Sequence, residues 1–379
     1  MKDRHISETV FLTGEAYFTA LLTDIGLAKT SIDLETYIFD NDALGQRVAD
    51  ALAAAAKRGV RVRVLVDGAG SIGWGGTLAN GLEAAGVEVR IFHPFPWHLW
   101  RWPRMITHLP RLFKSLYFIF QINTRNHRKV CIIDNSTVFI GSANISLCHL
   151  SVAEGGKNWR DTVVKLIGVR IDDLRAAFLA AWHHTAIQDR FHNIFRRVDT
   201  RAIIRLNNTR HRRRVLYKDL LRHLSKCRKR VWITNAYFVP DNRLLKTLLD
   251  LAEGKIDVRI LLPQKSDIFI MSWASSAFYE RLLAAGVRIF EYFPGMLHAK
   301  SLILDDWFMV GSSNLNHRSL LHDLEVDVNV RSRQSRQMLM EQFIADLAHA
   351  KEIQLSNWYK RPWHQKLVGR LILYIKYWI

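Results

Sequence analysis

Apolar residues recur at helical spacing from Gly14 to Thr30, at Tyr17, Leu21, Leu22, Ile25 and Leu27, and Ser31 to Phe39 then reads as a strand. An alanine-rich helix at about Ala43 to Arg58 precedes a strand from Val60 to Asp67, and a helix around Thr77 to Ala85 leads through Gly86 to a strand from Val87 to Phe92. The second half repeats the alternation. Tyr217 to Cys227 reads as helix, Val231 to Phe238 as strand, Asn242 to Ala252 as helix and Val258 to Leu262 as strand. Ala284-Ala285-Gly286-Val287-Arg288-Ile289-Phe290 echoes Ala84-Ala85-Gly86-Val87-Glu88-Val89-Arg90-Ile91-Phe92 in its lettering, so an internal duplication of an α/β unit is the economical explanation.

One polar pattern also occurs twice. Asn126-His127-Arg128-Lys129 runs into apolar residues ending at Asp134, and Gly141-Ser142-Ala143-Asn144 follows. In the second half, Leu297-His298-Ala299-Lys300 runs to Asp305 and is followed by Gly311-Ser312-Ser313-Asn314. Side chains two apart on an extended chain point the same way, which sets an imidazole beside an ammonium group. Asp134-Asn135 and Asp305-Asp306 read as hairpin turns, and the return strand delivers an Asn that can donate to an oxyanion. The second copy lacks one residue between its Asp and its Gly, which puts its hairpin register in question. Two such half-sites face to face suit a phosphodiester, whose displacement needs a nucleophile, a proton donor and cations on the non-bridging oxygens. No metal and no cofactor is demanded.

The duplicated His-x-Lys-x4-Asp pattern with its trailing Gly-Ser-x-Asn resembles the phospholipase D superfamily. Glu35 to Asp42, Trp159-Arg160-Asp161, Asn235 to Asp241 and Glu325 are similar to positions of bacterial cardiolipin synthases. The resemblance implies an α/β fold of two phospholipase D-like halves, packed with pseudo-twofold symmetry around one active site. It implies a catalytic set of His127, Lys129, Asp134, His298, Lys300 and Asp305, with Asn144, Asn314, Ser142 and Ser312 on the phosphate. Asp134 and Asp305 belong to the motif, but their place at turns suggests structural support. Asp161 and Glu325 match the family's acids and are candidates for orienting the histidines. His127 is assigned as nucleophile and His298 as acid and base, an order that the symmetry of the pattern leaves reversible. The implied reaction joins two phosphatidylglycerols through a phosphohistidine and releases glycerol. Two alternatives stand beside it: a phosphodiesterase that hydrolyses phospholipid or nucleic acid, and an inactive membrane-binding scaffold.

Composition narrows the partners. A formal charge of +19 points to a polyanion, either nucleic acid or an anionic lipid surface. Cys131, Cys148 and Cys227 form no Cys-x-x-Cys pair and leave an odd thiol, which favours a reducing compartment over a secreted disulfide framework. No signal-peptide pattern is legible, and no apolar run reaches the roughly 20 residues of a membrane-spanning helix. The resulting expectation is a peripheral protein on the cytoplasmic face of the bacterial inner membrane, bound to anionic phospholipid, taking phosphatidylglycerol, with no nucleic acid partner and no oligomer required.

Residues 1–190 read as the first domain, 191–214 as a basic linker, 215–350 as the second domain and 351–379 as an amphipathic membrane-associating tail. The first domain carries an insertion at about 93–122, because 35 positions separate Phe92 from His127 and 8 separate Phe290 from His298. It mixes Trp97, Trp100 and Trp102 with Arg, Lys and His, and the tail holds Trp363 and Trp378 among basic residues. Tryptophan and cations together favour the headgroup level of an anionic bilayer. A lid over the cleft and a tail docked on the protein itself are the alternatives.

Overall fold

A computed structural model describes residues 6–71, 74, 76–94, 124–183 and 198–375. The aromatic insertion with Trp97, Trp100 and Trp102, and Trp378 in the tail, lie outside the described residues.

The first sheet contains β1 (Ser7–Phe11), β2 (Ser31–Thr36), β3 (Arg61–Asp67), β4 (Glu88–Phe92), β5 (Val130–Ile133), β6 (Thr137–Gly141) and β7 (Val163–Ile167). Its spatial order is β1-β7-β6-β5-β2-β3-β4. The second contains β8 (Ile204–Leu206), β9 (Arg230–Thr234), β10 (Asp257–Pro263), β11 (Arg288–Tyr292), β12 (Ser301–Leu304), β13 (Trp307–Gly311), β14 (Val326–Val330) and β15 (Ala350–Ile353). Reading β8 as the counterpart of β1 reproduces the same order, with β15 added at the edge. The duplication read from the lettering is therefore a duplication of topology.

The helices that flank the leading strands of each half start where a side chain can satisfy their free N–H groups. Thr13 caps Gly14–Leu27, Asp42 caps Ala43–Lys57, Thr209 caps Arg210–Lys226 and Asp241 caps Asn242–Glu253. The segment 191–214, read as a basic linker, is part of the second half's fold where it is described. Ile204–Leu206 pairs with β14, and the next helix begins at Arg210, repeating the step from β1 into Gly14–Leu27. Arg205 is buried against Asp219 at 2.9 Å, so its charge is matched inside the fold.

Strand alternation sorts the apolar residues into layers. Cys131 and Ile133 join the core under the first half's own helices, whereas Val130 and Ile132 join a second core. That second core is shared. Val138, Ile140, Val164 and Leu166 from the first sheet meet Ile303, Phe308, Val310, Val326 and Val328 from the second. The sheets thus pack face to face through their motif-bearing strands, which carries the residues just before β5 and β12 to one place.

The hairpins keep a common register despite the missing residue. Val130 pairs with Ile140 and Ser301 with Val310; the first turn holds three residues and the second two. Asp134, Asn135 and Asp305 adopt positive φ of 50°, 51° and 51°, as tight turns between strands require.

The tail is part of the second half. Residues Ala350–Ile353 pair with β11, and Trp358 and Ile372 lie in the second half's core. Among the described residues no helix is long and apolar enough to cross a membrane.

Candidate active site

Where the two sheets meet, the chain crosses between halves on both sides of the pseudo-twofold. Asn126 bridges Leu324 and His127 N–H donates to Leu324 O at 3.0 Å, while Leu297 bridges Arg160 and His298 N–H donates to Arg160 O at 2.9 Å. Leu324 and Arg160 each immediately precede an acid. His127 Nδ1 lies 3.0 Å from Glu325 Oε1, and His298 Nδ1 lies 2.8 Å from Asp161 Oδ1. Each imidazole is therefore held by a carboxylate of the other half, and each keeps Nε2 for whatever enters between them.

The lysines enter from the same strands. Lys129 Nζ donates to His127 O at 2.6 Å, and Lys300 Nζ donates to His298 O. Tyr37 lies under Lys129 at 5.3 Å from the ring centre, and Tyr237 under Lys300 at 6.0 Å. Both ammonium groups feel the charges of Asp161 and Glu325, so one site contains all six groups.

Burial dominates the electrostatics. It lowers the Lys129 pKa to about 7 and that of Lys300 to about 8, and it pushes both histidines below their ordinary range with help from the lysines. It also raises Glu325 to about 7. Burial works against the charge of Asp161 as well, but His149 and His298 outweigh it and hold that carboxylate well below the usual range. A cluster of cations whose protons are loosened by desolvation gains most from an anion placed among them.

Other expected residues divide. Asn144 Oδ1 accepts from Ile38 N–H at 3.2 Å, fixing the direction of its amide, and Asn314 Oδ1 is buried without a hydrogen-bond partner. The serine hydroxyls are turned away from a phosphate role. Ser142 Oγ is engaged with the backbone of Thr162, and Ser312 Oγ donates to Glu325. Asp134 and Asp305 stand outside the site, at the far ends of β5 and β12. Asp134 accepts from the N–H groups of Lys29, Thr30 and Ser31, and Asp305 from those of Arg228, Lys229 and Arg230, so both staple the strand that starts beside them. Their place in a catalytic list is corrected on that ground: the carboxylates hold β2 and β9 in register with the motif strands.

Several site residues escape a reading of the motif alone. Tyr237 Oη donates to Asp267 at 2.7 Å, Ser319 Oγ donates to Glu325 at 2.6 Å, and His149 Nδ1 lies 2.6 Å from Asp161. His149 and Ser319 each follow the motif Asn by five positions, a signal that superposing the two halves exposes. Among the described residues no group of three or more His, Cys, Asp or Glu side chains is placed to hold a metal ion.

The family model described as cardiolipin synthase, PLD-like domain, matches residues 21–151 and 220–347, which include both motif histidines, both lysines and Glu325. The chain belongs to this family. A cardiolipin synthase of Alkalihalophilus pseudofirmus is 31% identical over 371 residues, spanning 96% of this chain and 70% of the relative. Cardiolipin synthase 2 of Bacillus anthracis is 32% identical over 378 residues, spanning 96% and 69%. Among solved structures, phosphatidylserine synthase of Haemophilus influenzae Rd KW20 matches with a TM-score of 0.71 at 13% identity, covering 100% of this chain and 96% of its own, a likeness of fold. The chain is a phosphatidyltransferase of the phospholipase D superfamily.

The raised pKa of Glu325 makes a stability prediction. Folded Glu325 keeps its proton to about pH 7, whereas its ordinary value is 4.5, so its contribution is present below pH 4.5 and is lost as pH rises to about 7. The Glu325→Gln protein should therefore gain on the wild type across that window, by roughly 3 kcal/mol at most. Urea unfolding at pH 5 and pH 8 measures this; a difference that does not change with pH contradicts the assignment.

Proposed function

We propose that the chain makes cardiolipin from two phosphatidylglycerols, releasing glycerol through a covalent phosphohistidine. Nε2 of His127 attacks phosphorus, the P–O bond to the headgroup glycerol breaks, and His298 gives that oxygen its proton. The headgroup hydroxyl of a second phosphatidylglycerol then returns a proton to His298 and attacks phosphorus as the P–N bond breaks. Lys129 and Lys300 neutralise the non-bridging oxygens, assisted by Asn144 and Asn314. The observation that carries this reading is the pair of buried imidazoles, each fixed at Nδ1 by a carboxylate from the opposite half and each beside a lysine. An incoming phosphodiester supplies the negative charge that restores the loosened protons, including the one His298 must donate. Burial also favours a lipid alcohol over water as the acceptor.

The lipid surface has a candidate contact in the tail helix Trp363–Ile372. Val368, Ile372 and Leu373 face the second half's own core, and Gly369 is so close to Trp273 that a Cβ there would meet its carbonyl oxygen at 2.5 Å. The opposite side carries Trp363, Leu367, Leu371 and Tyr374, all exposed, with Trp363 at 73% and Tyr374 at 85%. Arg370 and Lys366 flank the stripe, the pattern of a helix lying in a headgroup layer while docked on its own protein. Arg370 is exposed and Lys366 half-buried.

Incubation with phosphatidylglycerol vesicles and mass spectrometry of the lipids should reveal cardiolipin with stoichiometric free glycerol. His127→Ala and His298→Ala should each lower the rate by ~10³-fold or more; phosphatidic acid as sole product, or full activity in both variants, contradicts the reading. Replacing Trp363, Leu367, Leu371 and Tyr374 by Ser should weaken binding to those vesicles ~10-fold or more while circular dichroism is unchanged. Equal binding would remove the helix from the membrane contact.

A further inference from the structure

The two half-sites differ in what supports the acid. Glu325 accepts from the hydroxyls of Ser312 and Ser319 as well as facing His127. Asp161 instead serves two imidazoles: Oδ1 faces His298 Nδ1 at 2.8 Å and Oδ2 faces His149 Nδ1 at 2.6 Å. On the far side of the His149 ring, Nε2 accepts from the backbone N–H of Asn144 at 3.1 Å. All four residues are buried. Two influences oppose each other on His149. Burial disfavours its cation and Asp161 favours it, the latter prevailing, yet a donor aimed at Nε2 leaves no room for a second ring proton. The hydrogen-bond geometry admits the neutral ring, with its proton on Nδ1, and that is the state assigned here.

We propose that His149 is a positioning residue for the transfer reaction proposed above, locking Asp161 so that the carboxylate holds the proton of His298 on Nδ1 and aims its Nε2 at the reacting phosphate. A carboxylate with one donor can turn about its Cβ–Cγ bond; a second donor on the other oxygen fixes its plane. His149 supplies that second donor and is itself fixed by Asn144. The result is a rod running from the Asn144 backbone through His149 and Asp161 to His298, from one half of the protein into the other. A phosphate-binding residue of the first half is thereby registered against the acid and base of the second. The shorter Asp161 needs a reaching imidazole where the longer Glu325 is served by hydroxyls, which accounts for the exchange of His149 for Ser319 between the halves.

The test uses the full chain with His149→Phe, which keeps the ring shape and removes both polar atoms, and His149→Asn, whose amide N–H can stand where the Nδ1–H stands. The Phe variant should lose ~10–100-fold in kcat with KM for phosphatidylglycerol within ~2-fold, the scale typical of outer partners that orient a histidine. The Asn variant should recover most of it. In ¹⁵N-imidazole spectra of the substrate-free proteins, His298 should hold its proton on Nδ1 in the wild type and the Asn variant and exchange between both nitrogens in the Phe variant. An unchanged kcat in the Phe variant, equal losses in both variants, or an unchanged His298 tautomer would each overturn the proposal. Because the spectra need no substrate, they decide the positioning role even if phosphatidylglycerol proves not to be turned over.

Discussion

Each of the two motif histidines depends on an acid it does not share a half with. His127 is held by Glu325 and His298 by Asp161, across 198 and 137 residues of chain, and the backbone just before each acid pairs with the backbone at each histidine. Neither half can orient its own imidazole. The constraint explains why the sheets pack through β5 to β7 and β12 to β14, because only that face brings the crossed partners within hydrogen-bond reach. It also explains the shared apolar core between the sheets, whose burial supplies the driving force for holding charged groups out of water.

The pseudo-symmetry is broken where the two half-sites meet their own floors. Under His127, Arg128 pairs with Glu35 at 3.0 Å, Asn126 donates to Glu35, and its N–H donates to Asp67. Leu297, Ala299 and Thr234 occupy the places equivalent to Asn126, Arg128 and Glu35 in the second half. One imidazole therefore stands beside a buried ionic network, while the equivalent positions beside the other carry no charge and His149 lies behind its acid. Two half-sites with different surroundings are suited to the two different tasks that a displacement through an intermediate sets them.

Much of the architecture was legible because its causes are local. Alternation assigned the motif strands, and the duplicated lettering implied two equivalent sheets. The strands Arg61–Asp67 and Asp257–Pro263 and the helices Ala43–Lys57 and Asn242–Glu253 follow the pattern closely. What failed to show has long-range causes. Arg205 falls within the stretch that reads as a basic linker, because its partner Asp219 lies in the following helix and the strand β8 buries the pair. His149 drew no reading from the sequence, because its place depends on Asp161 bridging it to His298. Asp161 and Glu325 were visible as acids, but their crossed pairing is a property of how the halves pack. The tail's sequence fits either a membrane helix or a docked helix, and its described residues divide between both faces.

A double-mutant cycle on folding stability tests the crossed arrangement most directly, with Ala substitutions at His127, Glu325 and Asp161 made singly and in pairs and followed by urea unfolding. The crossed pair His127 and Glu325 should show a coupling of ~1 kcal/mol or more, and the same-half pair His127 and Asp161 a value within ~0.5 kcal/mol of zero. Coupling confined to the same-half pair would mean that each half orients its own histidine, and would contradict the account.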